Sequence, residues 1–331
     1  MHLLLQGVQR RGLDGAALVQ AAGMPAVLLS SPLSRVTPGQ YARLARLLAH
    51  RLRDEFWGLT TRPVPRGSFA QACRLAVASA TLGEAIRLVL RHYRLLLDDF
   101  VPRLRVADGV AALTVTPRGH VDPPLAYAQR AFAFLAYGVA SWLVARRVPL
   151  VGVDLAYELD LGQTDAARLF GARVRFGAER PGWQFAAELL AQPVVATAAE
   201  LPAFLRQAPA SLLVKYRDPD RLTERVRAIL RRDLAHEPPA LTDVANELAM
   251  TPQTLRRRLC QQGQGFRALR DGLRRDAAIA WLARPDLTLA DIAARLGFSE
   301  ASTFHRAFKQ WTGVAPGEYR QAQALAERVT R

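Results

Sequence analysis

Two similar helix–turn–helix patterns lie in the C-terminal third of the sequence, at residues 244–260 and 292–309. In each pattern an aliphatic residue followed by alanine begins a short helix, and Leu248 or Leu296 ends it. A tight turn and a second helix follow. A chain that carries this arrangement twice is constrained in that region to an all-α fold with two helix–turn–helix units.

The second helix of each pattern has a candidate cap and a candidate buried face. Thr251 and Ser299 are placed to cap these helices, because a hydroxyl oxygen can accept the free backbone N–H groups of the first turn. Thr288 and Asp291 similarly predict a capping box at the start of the second unit. Apolar residues spaced four apart predict the buried face: they are Leu255 with Leu259, and Phe304 with Phe308.

The opposite face of each second helix is polar and is left for a partner. A helical wheel of about 100° per residue points Gln253 and Arg257 outward in the first helix, and Ser302, Arg306 and Lys309 outward in the second. Arg256 and Arg258 lie on opposite flanks, so the three arginines cannot all meet one surface. One such helix could simply carry a solvated charged face. Two equivalent faces favour DNA, whose bases are recognised by Arg and Gln and whose phosphates suit Lys309.

A single helix is predicted between the two units. Its apolar stripe consists of Phe266, Leu269, Leu273, Ala277 and Trp281, which predicts about 18 residues and a length of about 27 Å. Successive turns of the major groove on one side of DNA are about 34–36 Å apart. The spacing therefore predicts a linker helix that sets two recognition helices in adjacent major grooves.

The composition adds weaker information. The formal charge of +16 favours polyanionic partners, but basic residues exceed acidic ones in both halves of the chain. Two distant cysteines, Cys73 and Cys260, make no disulfide framework, which suits a reducing cytoplasm. Arg10 and Arg11 follow the N-terminal apolar residues too soon for a signal peptide. The uncharged stretch 131–145 is too short to span a bilayer and predicts a buried helix.

The N-terminal part mixes helices with a few strands. Helices are predicted within 1–62, around 69–80 with Thr81 as the cap of the next one, over 82–97, and near 125–145. Strand candidates flank Asp108-Gly109, a hairpin signal, and further ones cover 148–157 and 173–176, while Pro181-Gly182 indicates the end of the domain. The expected organisation is an α+β domain over 1–205, a linker over 206–222 and an all-α domain with the two helix–turn–helix units over 223–331.

The segment 296–320, which begins Leu-Gly-Phe-Ser-Glu-Ala-Ser-Thr-Phe, resembles the signature of AraC/XylS-type bacterial transcription regulators. Residues 250–259 resemble the N-terminal half-motif of the same family. The resemblance implies base contacts from Gln253, Arg256, Arg257, Ser302, Thr303 and Arg306. One departure is Ala249, which stands where such sequences usually have glycine, so its backbone is expected to be strained if φ is positive. Gly297 occupies the corresponding turn of the second unit.

The N-terminal part resembles the arabinose-binding-like domain of regulators of the ornithine-utilisation and mycobacterial virulence type. The resemblance is carried by 54–59, 80–88, 92–96 and 169–178, and it extends over about residues 5–195. It implies an effector-sensing or dimerisation domain, without implying arabinose. Eight residues that could line a pocket are better interpreted as core, and no ligand site is assigned: Trp57, Phe69, His92, Tyr93, Phe132, Phe134, Tyr137 and Trp142.

These features together predict a non-enzymatic, cytoplasmic, effector-responsive regulator of transcription. Double-stranded DNA, RNA polymerase and a second copy of the chain are its expected partners, a small molecule is a candidate effector, and no membrane partner is expected. The sequence has no HExxH or GxSxG motif, so we expect no catalytic site, metal or cofactor. Two alternatives stay open: a DNA-binding regulator whose N-terminal domain only oligomerises, and a sensor enzyme whose helical tail mediates protein contacts.

Overall fold

The computed structural model describes residues 2–29, 36, 38–156, 172–208, 222–232, 239–261 and 265–329. Most of the predicted linker 206–222 lies outside these residues, as does Tyr157 at the end of one predicted strand. The chain forms two compact units. The first contains residues 1–15 and 45–217, and the second contains residues 16–44 and 218–331.

The first unit combines helices with one five-stranded sheet. Its elements are α1 (His2–Arg10), the second half of α3 (Pro38–Arg51), α4 (Ser68–Val77), α5 (Leu82–Arg94), β1 (Phe100–Ala107), β2 (Val110–Pro117), α6 (Pro123–Leu143), β3 (Gly152–Asp154), β4 (Arg173–Arg175), β5 (Gly182–Ala186) and α7 (Leu201–Gln207), with a 3₁₀ helix over Ala187–Ala191. The strand order is β1-β2-β5-β3-β4, and the pairs are antiparallel except β3 with β4. The predicted α+β class is confirmed.

The hairpin between β1 and β2 forms where the sequence predicted it. Asp108 and Gly109 have φ of 50° and 74°, so both central residues are in the left-handed region that a two-residue turn of this type requires. Thr81 also acts as predicted, because its side chain accepts the backbone N–H of Glu84 at the start of α5.

Two predictions for this part of the sheet need correction, one of a domain end and one of a strand length. Pro181-Gly182 does not end the domain, because Gly182 begins β5, which pairs with both β2 and β3. A Cβ at Gly182 would lie 2.1 Å from the carbonyl oxygen of Leu113, so the glycine serves close strand approach rather than a turn. The strand predicted over 148–157 is confined to Gly152–Asp154 among the described residues.

Helix α6 covers the sheet and confirms the buried apolar helix. The Trp183 indole N–H donates to the carbonyl of Ala133, and the Trp183 and Tyr137 rings meet edge to face at 5.5 Å. Most of the helix, including Phe132 and Trp142, is buried against neighbouring elements. Among the described residues, no helix has both the length and the apolar character needed to span a bilayer.

The second unit is helical in the residues that the structure describes. It contains α2 (Gly15–Ala21, whose first residue belongs to the first unit), a 3₁₀ helix (Ala26–Leu29), the first half of α3, α8 (Leu222–Arg232), α9 (Leu241–Glu247), α10 (Pro252–Gln261), α11 (Phe266–Leu282), α12 (Leu289–Arg295), α13 (Ala301–Thr312) and α14 (Pro316–Val329). Residues 16–44 therefore pack with the C-terminal helices, although the sequence pattern groups them with the N-terminal domain. The predicted boundaries at 205 and 223 stay a prediction.

A buried hydrogen bond joins the early segment to the last helix of this unit. The side-chain amide of Gln40 donates to the Tyr319 hydroxyl over 2.7 Å, and both side chains are buried. Burial raises the pKa of Tyr319, so its hydroxyl stays protonated at neutral pH. Tyr319 also meets Phe308 edge to face at 5.5 Å, which ties α14 to α13.

Candidate nucleic-acid interface

The first helix–turn–helix unit consists of α9 and α10. Its turn contains Ala249, whose φ of 52° is in the left-handed region, so the condition under which backbone strain was expected at this departure from glycine is met. Thr251 caps α10, because its hydroxyl accepts the backbone N–H of Thr254 at 3.2 Å. Leu255 and Leu259 are fully buried and pack in a core shared with α8 and the first half of α11.

The outward face of α10 is exposed as the helical wheel predicts. Gln253, Arg256 and Arg257 are exposed, and so are Arg258 and Cys260. Within the described residues, neither Arg256 nor Arg257 forms a hydrogen bond or an ion pair. Their guanidinium groups are therefore available to an external acceptor.

The second unit consists of α12 and α13. The predicted capping box is present: the Thr288 hydroxyl accepts the Asp291 N–H at 3.1 Å, and the Asp291 carboxylate accepts the Thr288 N–H at 2.8 Å. The hydrogen bonds from Thr288 lower the pKa of Asp291. The capping box is therefore fully formed at pH values above the ordinary pKa of an aspartate carboxyl group. It is lost as the pH falls through the lowered pKa of Asp291. Gly297 has a φ of 71° in the turn, as its position predicted.

The predicted cap of the second recognition helix is wrong. Helix α13 begins at Ala301, and Glu300, not Ser299, is its N-cap residue. The turn of the second helix–turn–helix unit is one residue longer than that of the first. Ser299 is the position that corresponds to Thr251 when the two turns are given equal length, and it therefore lies one residue before the true cap. The Phe304 N–H bonds to the Glu300 carbonyl, just as the Leu255 N–H bonds to that of Thr251.

The second outward face has the predicted exposure and one added acidic group. Ser302, Arg306 and Lys309 are exposed, Thr303 is half-buried, and Phe304 and Phe308 are fully buried. The Ser302 hydroxyl donates to the Glu300 carboxylate at 2.9 Å. Sequence reasoning missed Glu300, although counting four residues back from Phe304 would have found it. A carboxylate here could accept from the amino group of cytosine.

Helix α11 joins the two units. Its 17 residues correspond to a length of about 26 Å, close to the predicted spacer. Leu269 and Leu273 pack in the core of the first helix–turn–helix unit. The helix also packs against α12 and α13 of the second helix–turn–helix unit. Ala277 and Trp281 of the predicted stripe are half-buried, while Ala278, Ile279 and Leu282 are buried.

The first compact unit, which contains the five-stranded sheet, has an apolar cavity between α4, α5, α6 and β2. Its volume is about 30 Å³, and Phe69, Tyr93 and Phe132 of the predicted core aromatics line it together with Cys73. Burial and the nearby Glu55 carboxylate raise the pKa values of the Cys73 thiol and the Tyr93 hydroxyl. Burial raises the pKa of Glu55 as well, although its oxygens accept the backbone N–H groups of Gly67 and Phe69 at the start of α4.

A second, polar crevice of about 340 Å³ lies in the same unit. The residues that line it are Arg10, Arg11, Gly58, Leu59, Thr60, Thr61, Asp99, His120, Asp122 and Leu125. The carboxylates are already engaged, because Asp122 pairs with Arg10 at 2.5 Å and Asp99 accepts from Thr61. Among the described residues there is no cluster of three His, Cys, Asp or Glu side chains able to hold a metal ion.

Comparison with known families matches both halves of the chain. Residues 12–194 match the model described as the arabinose-binding domain of AraC transcription regulator, N-terminal, which covers more than half of the sequence. Residues 244–322 match a helix-turn-helix domain. The chain belongs to the AraC family. It is a DNA-binding transcription regulator, as the repeat and the resemblance predicted.

Relatives of this AraC-family regulator include proteins of similar length. It is 29% identical over 325 residues to the ornithine utilization regulator of Pseudomonas aeruginosa, covering 96% of this chain and 94% of the relative. It is 34% identical over 171 residues to the HTH-type transcriptional regulator VirS of Mycobacterium tuberculosis, covering 51% and 47%. The transcriptional regulator CdpR of Pseudomonas aeruginosa is a structural neighbour at 21% identity and a TM-score of 0.31, covering 97% of each chain.

Proposed function

We propose that this AraC-family regulator recognises specific DNA with α10 and α13 in two adjacent major grooves. Base contacts come from Gln253, Arg256, Arg257, Ser302, Thr303 and Arg306, and Lys309 contacts phosphate. The observation that carries the proposal is the pair of equivalent exposed faces, each backed by a fully buried i,i+4 pair. Arginine and glutamine on such faces match the hydrogen-bonding edges of guanine and adenine.

The base-contacting residues are tested by single substitutions on the two faces. Arg257→Ala and Arg306→Ala should each weaken binding to a specific site by about 1–3 kcal/mol and relax the base preference there. Arg258→Ala is the matched control, since Arg258 is exposed on the same helix but lies on a flank. Footprinting and competition with mutated sites measure both effects. Unchanged affinity and base preference in both test variants would show that the assignment is wrong.

The N-terminal domain, over residues 1–205, is proposed to bind a small effector and to mediate homodimerisation, with 206–222 as linker and 223–331 as the DNA-binding domain. We further propose a non-enzymatic, cytoplasmic regulator that acts with RNA polymerase. The polar crevice supports effector binding, because its volume of about 340 Å³ falls in the range of about 300–1,000 Å³ typical of ligand pockets. Its lining of polar residues suits a small polar molecule.

The alternative is an N-terminal domain that only oligomerises. One observation favours it: the apolar cavity of about 30 Å³ holds little more than a water molecule. The two proposals are separated by thermal unfolding of the full chain with a panel of small molecules that includes ornithine, chosen from the name of a relative. Stabilisation by a panel member supports an effector, whereas no stabilisation with intact dimerisation supports the alternative.

A further inference from the structure

The linker helix α11 carries a row of arginines that lie outside both recognition helices and have no role in the contacts proposed above. Arg267, Arg270 and Arg274 follow one another at spacings of three and four residues, so their side chains lie along one face of the helix. Their only acidic neighbour in the row is Asp271, which pairs with Arg267 at 3.7 Å. The remaining two arginines therefore form a local concentration of uncompensated positive charge.

Arg270 and Arg274 have no hydrogen-bond acceptor among the described residues. The Nε atoms of both side chains are buried and unpaired, and both side chains are half-buried. A buried donor without an acceptor costs free energy, and more so when the group is charged. Two other arginines of the second compact unit do have partners, since Arg275 pairs with Asp276 and Arg284 pairs with Asp286.

Packing holds Arg274 beside the second helix–turn–helix unit. Its guanidinium lies over the Phe298 ring, 4.9 Å from the ring centre. Phe298 belongs to the turn between α12 and α13 and contacts the rings of Phe304 and Trp311. Arg274 is therefore fixed against the segment that leads into the second recognition helix.

The electrostatic environment of Arg274 disfavours its positive charge. Burial lowers the pKa of Arg274, and the charge of Arg270 lowers it further, while Asp271 opposes this shift. Two adjacent, partly desolvated cations repel each other, so an anion between them would relieve both the repulsion and the missing hydrogen bonds. Guanidinium groups match phosphate oxygens in a planar, two-bond geometry.

We propose that Arg270 and Arg274 together bind one phosphodiester group of the DNA backbone next to the second helix–turn–helix unit. The proposal rests on the DNA-binding mode described under the proposed function, and it adds a contact from the linker helix to those from the recognition helices. A phosphate contact carries no base information. It therefore strengthens binding to every sequence and makes binding more sensitive to salt.

The test measures how the affinity of the full chain for DNA depends on salt. The double variant Arg270→Gln/Arg274→Gln is titrated with a specific duplex and a random duplex between about 50 and 200 mM KCl. We expect the slope of log affinity against log salt concentration to become shallower by about 0.9 on both duplexes, because this is the value for one neutralised phosphate. The base preference should stay unchanged. Arg270→Gln alone, which leaves the stacked Arg274 in place, should shift the slope in the same direction.

The matched control removes two positive charges from arginines that already have partners. Arg275→Gln/Arg284→Gln loses the same charge as the test variant, and its salt slope should stay that of the parent chain. Equal slopes for the test variant and the parent, or equal changes in test and control, would overturn the proposal. Failure of the proposed function is a separate result, because it is seen as unchanged base preference in Arg257→Ala and Arg306→Ala.

Inorganic phosphate distinguishes a DNA phosphate from a free anion. Thermal unfolding of the parent chain and the double variant is compared in phosphate and in chloride at equal ionic strength. A small phosphate-specific stabilisation that disappears in the variant, together with the slope change on DNA, supports the proposal. If the stabilisation disappears while the slope on DNA is unchanged, the pair binds a free anion and the proposal is wrong.

Discussion

Ala249 and Gly297 occupy equivalent turns, and only one of them is glycine. Both have positive φ, 52° and 71°, because each turn must reverse the chain between a short helix and a recognition helix. A residue with a Cβ in this region costs about 1–2 kcal/mol. The first turn therefore holds backbone strain that the second lacks.

Ala249→Gly should stabilise the protein by about 0.5–1 kcal/mol, because relief of the strain exceeds the entropy that glycine gains in the unfolded chain. Gly297→Ala should destabilise it by a similar amount. Denaturant unfolding followed by helical circular dichroism measures both. Ala280→Gly, at an exposed position in the last turn of α11, is the control, because glycine in a helix costs up to about 1 kcal/mol relative to alanine. A loss of stability in Ala249→Gly as well would contradict the inferred backbone strain.

At this scale the sequence predicts burial well and caps less well. An apolar pair spaced four residues apart determines which side of each recognition helix is buried. The pairs are Leu255 with Leu259 and Phe304 with Phe308, and all four side chains are fully buried. The cap of α13 was missed because its identity depends on the length of a turn, and the second turn has one extra residue. Glu300 lies four residues before Phe304, as Thr251 lies four before Leu255, so counting back from the buried face identifies the cap that counting from the first helix misses.

The two recognition helices differ in chemistry as well as in their turns. Helix α10 presents Gln253 and two unpaired arginines, whereas α13 presents Ser302, already bonded to Glu300, with Arg306. An acidic group at the start of only one helix favours different bases. The two halves of the DNA site should therefore be unlike in sequence.

Cys260 allows the proposed DNA-facing side of α10 to be tested directly. It is exposed near Arg257, while Cys73 is buried with a raised pKa, so a maleimide should label one thiol per native chain, at Cys260. A bulky label there should block specific binding, and bound DNA should protect the thiol. Mass spectrometry and gel shift measure both effects, with Cys260→Ser as the unlabelled control. Full binding by labelled protein would place this side of α10 away from DNA.

The sheet shows where element prediction from sequence reaches its limit. The β1–β2 hairpin is local, so Asp108-Gly109 and the flanking apolar residues predict it. Strand β5 depends on partners distant in sequence, and its first residue is a glycine that looks like a turn signal. The reason for Gly182, the approach of the Leu113 carbonyl, exists only in the assembled sheet.

At the scale of the whole molecule, the division of the chain differs from its order in sequence. Residues 16–44 belong to the second compact unit, and α3 contributes residues to both units. Local sequence patterns carry no information about partners that are distant in sequence, so they do not predict this assignment. Only a long-range contact, such as that of Gln40 with Tyr319, shows it.

Gln40→Leu should destabilise the second unit by about 1–3 kcal/mol, because the buried Tyr319 hydroxyl loses its donor. Tyr319→Phe should have a similar cost, and the double variant should cost less than the sum of the two. Hydrogen exchange of the amides in 38–44 and 316–324 measures the change locally. Gln310→Leu, at an exposed position, is the control, and additive costs in the double variant would argue against the bond.

The Gln40–Tyr319 bond has a consequence for how such regulators recombine. A hybrid gene that joins the first two hundred codons of this chain to the last hundred of a relative takes Gln40 from one parent and the residue facing it from the other. Unless the relative carries a hydroxyl at that position, the buried Gln40 amide loses this acceptor. A hybrid that takes residues 16–44 and the C-terminal helices from one parent keeps this buried bond.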